Sequence, residues 1–218
     1  MRSLLIHVGI FLILTSCTKF GKNVYVDGRV YNPITGEGIG GVTVKLYRNK
    51  IDSKDLLGSD SKTLKIVTTD VNGYYKVEYL ASPFNQAFVQ INYGGYYPLG
   101  WVENKSLGSN GVKKGKRNHL DYVMVPYGQL HWHIKNINCE GSTDTLWYKI
   151  KYQYDSDFLS LWSFPITGCS DIVGNGSDKM EMGNHIIYMR IKRPSGTIYK
   201  YDTIFVNESG ITNFDLLY

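Results

Sequence analysis

Nothing in this sequence repeats on the 3.6-residue apolar period of an amphipathic helix, and long stretches of Ala, Leu, Glu and Lys are missing. That excludes helices as the organising architecture. No apolar run approaches the ~20 residues that cross a bilayer as a helix. Neither sign of charge dominates, with Lys+Arg 24 against Asp+Glu 19 and a net charge of +5. A nucleic-acid partner, which needs basic residues concentrated on one face, is therefore not expected. Catalytic signatures are missing too: there is no GxSxG elbow, HExxH, Walker motif or GxGxxG after a strand. Serines and aspartates are common, but no spacing pairs a nucleophile with a base. The expectation is a non-enzyme that uses no cofactor.

What is present is tyrosine and glycine, 18 and 23 of 218 residues, with valine, isoleucine and threonine in short alternating runs. Such residues fit pleated, half-buried surfaces. Val24, Val26, Gly28 and Val30 alternate with Tyr25, Asp27, Arg29 and Tyr31, a period of two that predicts a strand. Val42, Val44 and Leu46 repeat the pattern, Leu64 to Val67 resumes it, and Tyr75, Val77 and Tyr79 share a face. Val89, Ile91 and Tyr93 follow, then Leu120, Tyr122 and Met124. The polar stretches Asp52–Lys62 and Glu103–Asn118 read as solvated loops, the second carrying five Lys and Arg residues that could face an anionic partner. Pro126-Tyr127-Gly128 marks a boundary. Beyond it, Leu130, Trp132 and Ile134 alternate with His131, His133 and Lys135. Leu146 to Tyr154, Ile187 to Ile191, Ile198 to Val206 and Phe214 to Leu217 read as further strands, with a turn at Pro194-Ser195-Gly196. The expected fold is all-β, with two β-sandwich domains at 23–126 and 127–218, the second immunoglobulin-like.

The N-terminus sets the compartment. Arg2 precedes an apolar core from Leu4 to Leu14, which suits the h-region of a signal peptide. It ends in Leu14-Thr15-Ser16-Cys17, which resembles the lipobox of bacterial lipoproteins. The resemblance implies cleavage after residue 16, a diacylglycerol on Cys17 and a short anchored linker over 17–22. Thr18, rather than Asp, implies an outer-membrane destination on its periplasmic or cell-surface side. The linker is short, so the first sandwich is expected near the membrane and the second farther out. With Cys17 assigned to lipid, Cys139 and Cys169 are an even pair in an oxidising compartment, and a disulfide is expected.

Three segments of the first half carry a second resemblance. Gly28-Arg29-Val30 is followed by Thr35-Gly36-Glu37-Gly38-Ile39-Gly40-Gly41-Val42-Thr43-Val44-Lys45-Leu46, and then by Thr69-Asp70-Val71-Asn72-Gly73-Tyr74-Tyr75. In that order they resemble the carboxypeptidase regulatory-like domain, a transthyretin-like (prealbumin-like) sandwich found in envelope lipoproteins of Bacteroidota-type bacteria. The resemblance implies a scaffolding or docking role and no catalysis. The motif glycines read as turn formers, and Glu37 as a hydrogen-bonding turn residue.

Candidate sites are few. His131 and His133 share a strand face and could hold a metal, with Glu140 or His185 as a third ligand; exposed strand histidines are the simpler reading. Asp70-Val71-Asn72-Gly73 resembles a fragment of a calcium loop but lacks its other oxygen ligands, so a turn is expected. Trp147 points outward by parity and is the candidate for stacking on a glycan, whereas Trp132 points inward. Asp144-Thr145-Leu146 and Asp202-Thr203-Ile204 resemble an O-glycan acceptor. The expected role is a membrane-tethered binding or scaffolding module for an envelope protein partner, with glycan binding as the alternative. Replacing Cys17 by Ala should abolish labelling with radioactive palmitate; undiminished labelling would remove the anchor.

Overall fold

The computed structural model describes residues 22–49, 61–81, 86–158 and 161–218. Cys17, the linker up to residue 21 and most of the polar stretch Asp52–Lys62 lie outside them. Among the described residues there are sixteen strands and no helix. In the first half these are β1 (Lys22–Tyr31), β2 (Thr43–Asn49), β3 (Ser61–Thr68), β4 (Tyr74–Ala81), β5 (Ala87–Asn92), β6 (Tyr96–Trp101), β7 (Asn110–Val112) and β8 (Arg117–His119). The long β9 (Tyr122–Lys135) follows. The second half adds β10 (Thr145–Tyr152), β11 (Ile166–Thr167), β12 (Asp171–Val173), β13 (Asp178–Glu181), β14 (Gly183–Arg193), β15 (Gly196–Val206) and β16 (Ile211–Leu217). The all-β expectation holds.

Two pairs of packed sheets build the molecule. In the first half, the sheet β3-β2-β5-β7 faces the strands β4, β1, β6 and the start of β9. The alternating residues meet as expected. Val24, Val26 and Val30 of β1 are buried against Val44 and Leu46 of β2 and Val89 and Ile91 of β5, with Trp101 and Tyr122 filling the middle. In the second half, the sheet β11-β10-β14-β15 faces β9, β16 and the short β12 and β13. Leu146, Ile187, Met189 and Ile191 pack there against Leu130, Ile134 and Leu216. Closing these cores removes apolar surface from water at about 25 cal/mol per Å², which is the main force holding the sheets face to face.

The backbone crosses from one half to the other inside β9. Its first residues pair with β6 and, in parallel, with β1; its last nine pair with β13 and β12 on one side and with β16, in parallel, on the other. The expected boundary at Pro126-Tyr127 is thus a change of partners within one strand. Pro126, which has no N–H to give a ladder, falls at the changeover. A small third core of Val125, Tyr152 and Met182, with Ile34, Tyr97 and Leu99 against it, fills the junction.

The stretch Glu103–Asn118 is not simply a loop. It contains β7 and the first two residues of β8, which its Gly- and Lys-rich composition conceals. The Asn118 side chain supplies the order: Nδ2 donates to the carbonyls of Tyr25, Lys113 and Lys116, and Oδ1 accepts from Lys113 N. Strands β6, β12 and β13 were likewise not expected from the sequence.

The glycine-rich motif of the first half proves to be a backbone-to-backbone lock. Val30 N–H donates to Gly73 O and Ile39 N–H to Val30 O, both at 2.9 Å. The chains approach so closely that a Cβ on Gly38 would lie 1.8 Å from Asn72 O, and one on Gly73 2.1 Å from Val30 O. Gly73 also has φ +82°, which only glycine adopts freely. Asp70 Oδ1 accepts from the N–H groups of Asn72 and Tyr74, so its carboxylate serves the turn. Glu37 contributes through its backbone, its N–H donating to Thr35 Oγ1 and its carbonyl accepting from Asn32. Buried Thr69 completes the lock: its hydroxyl donates to Ile39 O at 2.7 Å and accepts from Val42 N–H at 2.9 Å. Thr69→Val keeps the shape and removes the hydroxyl's bonds to Ile39 O and Val42 N–H. It should cost roughly 2–3 kcal/mol in denaturant unfolding; a loss below about 0.5 kcal/mol would show the lock to be dispensable.

Candidate binding face

The outward side of the β11-β10-β14-β15 sheet carries the strongest concentration of exposed chemistry. Register sets Trp147 beside Arg190, Lys149 beside Tyr188, Tyr188 beside Tyr201, and Arg190 beside Tyr199. The inward residues between them form the core, so alternation forces this set outward. The chain after β10 folds back over the sheet, with Ser163 N–H donating to Tyr148 O and Ser163 Oγ accepting from Tyr148 N–H. It brings Phe158 and Trp162 to 5.8 and 5.3 Å from the Tyr188 ring. Tyr188 also stacks on Tyr201 at 4.6 Å and on Tyr199 at 5.8 Å. The result is a half-buried tyrosine ringed by four other aromatics, in offset and tilted geometries that favour ring pairs.

Cations border this cluster. Lys149 Nζ lies 4.7 Å from the Trp162 ring, Lys151 Nζ 5.9 Å from Phe158, and the Arg190 guanidinium 4.9 Å from Trp147. Ring faces attract cations, so each is held beside its aromatic, and Lys151 Nζ also donates to Ser156 O at 3.2 Å. The nearby acids are turned to the backbone: Asp155 accepts from Tyr152 N–H and Asp157 from Phe158 N–H. Beyond the cluster, Leu161 and Phe164 are 80% and 93% exposed. Trp147, the residue selected by parity, lies on this face but at its edge and under Arg190. Its centre, Tyr188 with Tyr199 and Tyr201, is not among the candidates that the sequence offers. The signal was present: Thr197, Tyr199, Tyr201, Thr203 and Phe205 alternate along β15.

The opposite outer surface of the second half holds the histidines. His131 Nε2 bonds the Gly174 carbonyl at 2.9 Å. His133 has a carboxylate at each nitrogen, Asp215 at 2.8 Å and Asp171 at 2.7 Å, and Lys135 pairs with the other oxygen of Asp171. An imidazole bonded to carboxylates at both nitrogens is a donor twice over, hence a cation rather than a metal ligand. The two bonds, to Asp171 first and then to Asp215, raise its pKa above the ordinary value of 6.5. The proposed third ligands lie elsewhere. Glu140 binds Ser195, and His185 is buried, bonding Glu181 O at 2.8 Å and stacking on Tyr152. Among the described residues no group of three or more His, Cys, Asp or Glu could hold a metal ion.

Cys139 and Cys169 are bonded, with Cα atoms 5.2 Å apart and a sequence separation of 30. The loop they close is also held by Asp144, which is buried and accepts from Glu140 N–H and Asn136 Nδ2 at 2.9 Å each. The backbone bond from Glu140 is the main cause that lowers the Asp144 pKa. Of the two acceptor-like triplets, Thr145 is buried and its hydroxyl donates to Thr143 O, whereas Thr203 is exposed on β15.

No family model and no curated protein matches this chain. Solved structures do. A streptococcal ancillary pilin is 14% identical over 89% of this chain and 62% of its own, with a TM-score of 0.34. The shaft pilin SpaA of Lactobacillus rhamnosus is 11% identical over 91% of this chain and 97% of its own, at 0.33. A proposed carbohydrate-binding protein from Bacteroides uniformis is 14% identical over 84% of this chain and 98% of its own, at 0.30. The chain spans about six tenths of the ancillary pilin. At these scores the frames do not superpose, so no role passes from these proteins to this one.

The bonded His133 gives a testable pH dependence. Its pKa is raised on folding, so its contribution is full below about pH 6.5 and is lost as pH climbs through the higher folded value. The difference in melting temperature between wild type and His133→Gln should narrow as pH rises from about 6 to about 9. A constant difference would mean that the ring does not titrate against Asp171 and Asp215.

Proposed function

We propose that this chain is a non-enzymatic binding module of a bacterial cell envelope, lipid-anchored at Cys17 in the outer membrane, that docks an acidic protein partner. The carrying observation is the outer face around Tyr188, where five aromatic rings, three cations and two bare apolar side chains lie together. Tyr, Trp and Arg dominate binding energy at protein interfaces. Lys149, Lys151 and Arg190 supply the complement to acidic groups. Leu161 and Phe164 favour a protein over a sugar, because they offer apolar contact and no hydrogen bond.

The resemblance of residues 28–75 to the carboxypeptidase regulatory-like domain supports a scaffolding role for the first half. The polar clusters support a non-catalytic reading, since the described ones have structural work: Asp70 in its turn, Asp144 in its loop, and His133 between two carboxylates. Glycan binding on the same face is the second reading, favoured by the stacked and exposed rings of Tyr199 and Tyr201.

Crosslinking in native envelopes should capture a partner whose yield falls about tenfold with Trp162→Ala and with Lys149→Glu, and falls with added salt. Tenfold corresponds to ~1.4 kcal/mol, within the range of an interface hot spot. Ile66→Ser, on an exposed site of β3, should leave it unchanged. Capture indifferent to Trp162 and Lys149 would refute the face. Binding of a defined sugar on an array, lost with Trp147→Ala and without protein capture, would replace the protein reading with the glycan one.

A further inference from the structure

Strand β15 has a partner on one side. It pairs with β14 along its whole length, from Gly183 opposite Val206 to Arg193 opposite Gly196, and among the described residues no strand pairs with its other edge. The two-residue turn Pro194-Ser195 makes Arg193 and Gly196 the hydrogen-bonded flanking pair. Counting by twos, Ile198, Lys200, Asp202 and Ile204 direct their N–H and C=O groups at β14. Thr197, Tyr199, Tyr201, Thr203 and Phe205 direct theirs outward. Thr203 agrees with this count: its N–H donates at 2.7 Å to the side chain of Asp202 on its own strand. The half from Gly196 to Tyr201 is exposed on both faces, so it overhangs the core.

We infer that β15 pairs antiparallel with β15 of a second copy of this chain, about a two-fold axis at Tyr201. Charge favours that register over the two next to it. To keep outward groups facing one another, the centre of the pairing can shift only in single-residue steps of the axis. An axis at Lys200 sets lysine against lysine, and an axis at Asp202 sets aspartate against aspartate, both unfavourable across a ladder. At Tyr201, Lys200 faces Asp202 of the second copy, and Asp202 faces Lys200 of the second copy. The same register sets Ile198 opposite Ile204, Tyr199 opposite Thr203, Thr197 opposite Phe205 and Tyr201 opposite itself. Every pair occurs twice or lies on the axis, as a self-complementary two-fold contact requires. Lys200 and Asp202 thus disfavour the two adjacent alignments, a slip to which an open edge is prone, and give this one opposite charges twice over.

The pairing joins two four-stranded sheets into one of eight and uses up the edge, so the assembly closes at two copies. Residues directly opposite share a face, so the two aromatic clusters lie on the same side and meet at Tyr201.

The test uses the full-length chain in detergent and does not depend on any partner. Under oxidising conditions Tyr201→Cys should form a covalent dimer, while Tyr199→Cys and Thr203→Cys alone should not, because each faces the other position. Sedimentation should show the dimer dissociating at least tenfold more readily in Lys200→Asp and in Asp202→Lys, with the double exchange restoring it. These side chains are exposed or half-exposed, and melting temperatures check that the variants fold. A wild-type monomer up to several hundred micromolar, equal crosslinking at all three positions, or no recovery in the double exchange would each overturn the proposal.

Discussion

The hydrogen-bonded ladder along Tyr122–Lys135 is the constraint on which the rest of the molecule depends. One strand supplies Tyr122 and Met124 to the first core and Leu130 and Ile134 to the second. Because residues two apart share a face, these four even-numbered positions fix the rotation of both cores at once. A slip of one residue in either half would turn the apolar set of the other half toward solvent. The junction core around Val125, Tyr152 and Met182 then covers the odd-numbered side where the partners change. The two sandwiches are therefore parts of one register rather than beads on a linker.

Much of this was legible in the residues, for identifiable reasons. Period-two alternation in β1, β2, β10 and β14 marked strands half-buried against a core. The glycines around Ile39 and Gly73 read as turn formers; that a missing Cβ also lets Asn72 O approach Gly38 is visible only in the fold. Cys139 and Cys169 were paired by parity of number and compartment. Other features were hidden by competing physics. Strands of three or four residues, such as β7, β8, β12 and β13, are too short to show a period and depend on partners far away in sequence. Pro126 resembled a break because proline usually ends ladders, and only the tertiary pairing reveals that it stands where the ladder changes hands. The face around Tyr188 was missed because tyrosine serves equally in cores and on surfaces. Composition cannot choose between them; the parity of β15 against β14 does.

Polar residues in this fold act mainly on geometry. Thr69, Asp70, Asn118 and Asp144 each satisfy backbone groups that would otherwise be unpaired in turns or buried loops. His133, Asp171, Asp215 and Lys135 tie three strands side to side on the solvent face of the second half. With these groups committed, the chemistry left for recognition is concentrated on the opposite sheet, where rings and cations stabilise one another before any ligand arrives. Such preordering reduces the side-chain entropy lost on binding.

The continuity of β9 also has a mechanical meaning. A pull exerted on the distal sheet, against resistance at the N-terminal end, runs along β9 through its parallel neighbours β1 and β16. Hydrogen bonds between strands drawn past one another are strained together in shear, whereas those at a peeling end open one at a time. A flexible joint would let the halves swing and would concentrate the strain at a single peptide. Here tension spreads over many bonds, so a load applied across the two halves is not concentrated at their junction.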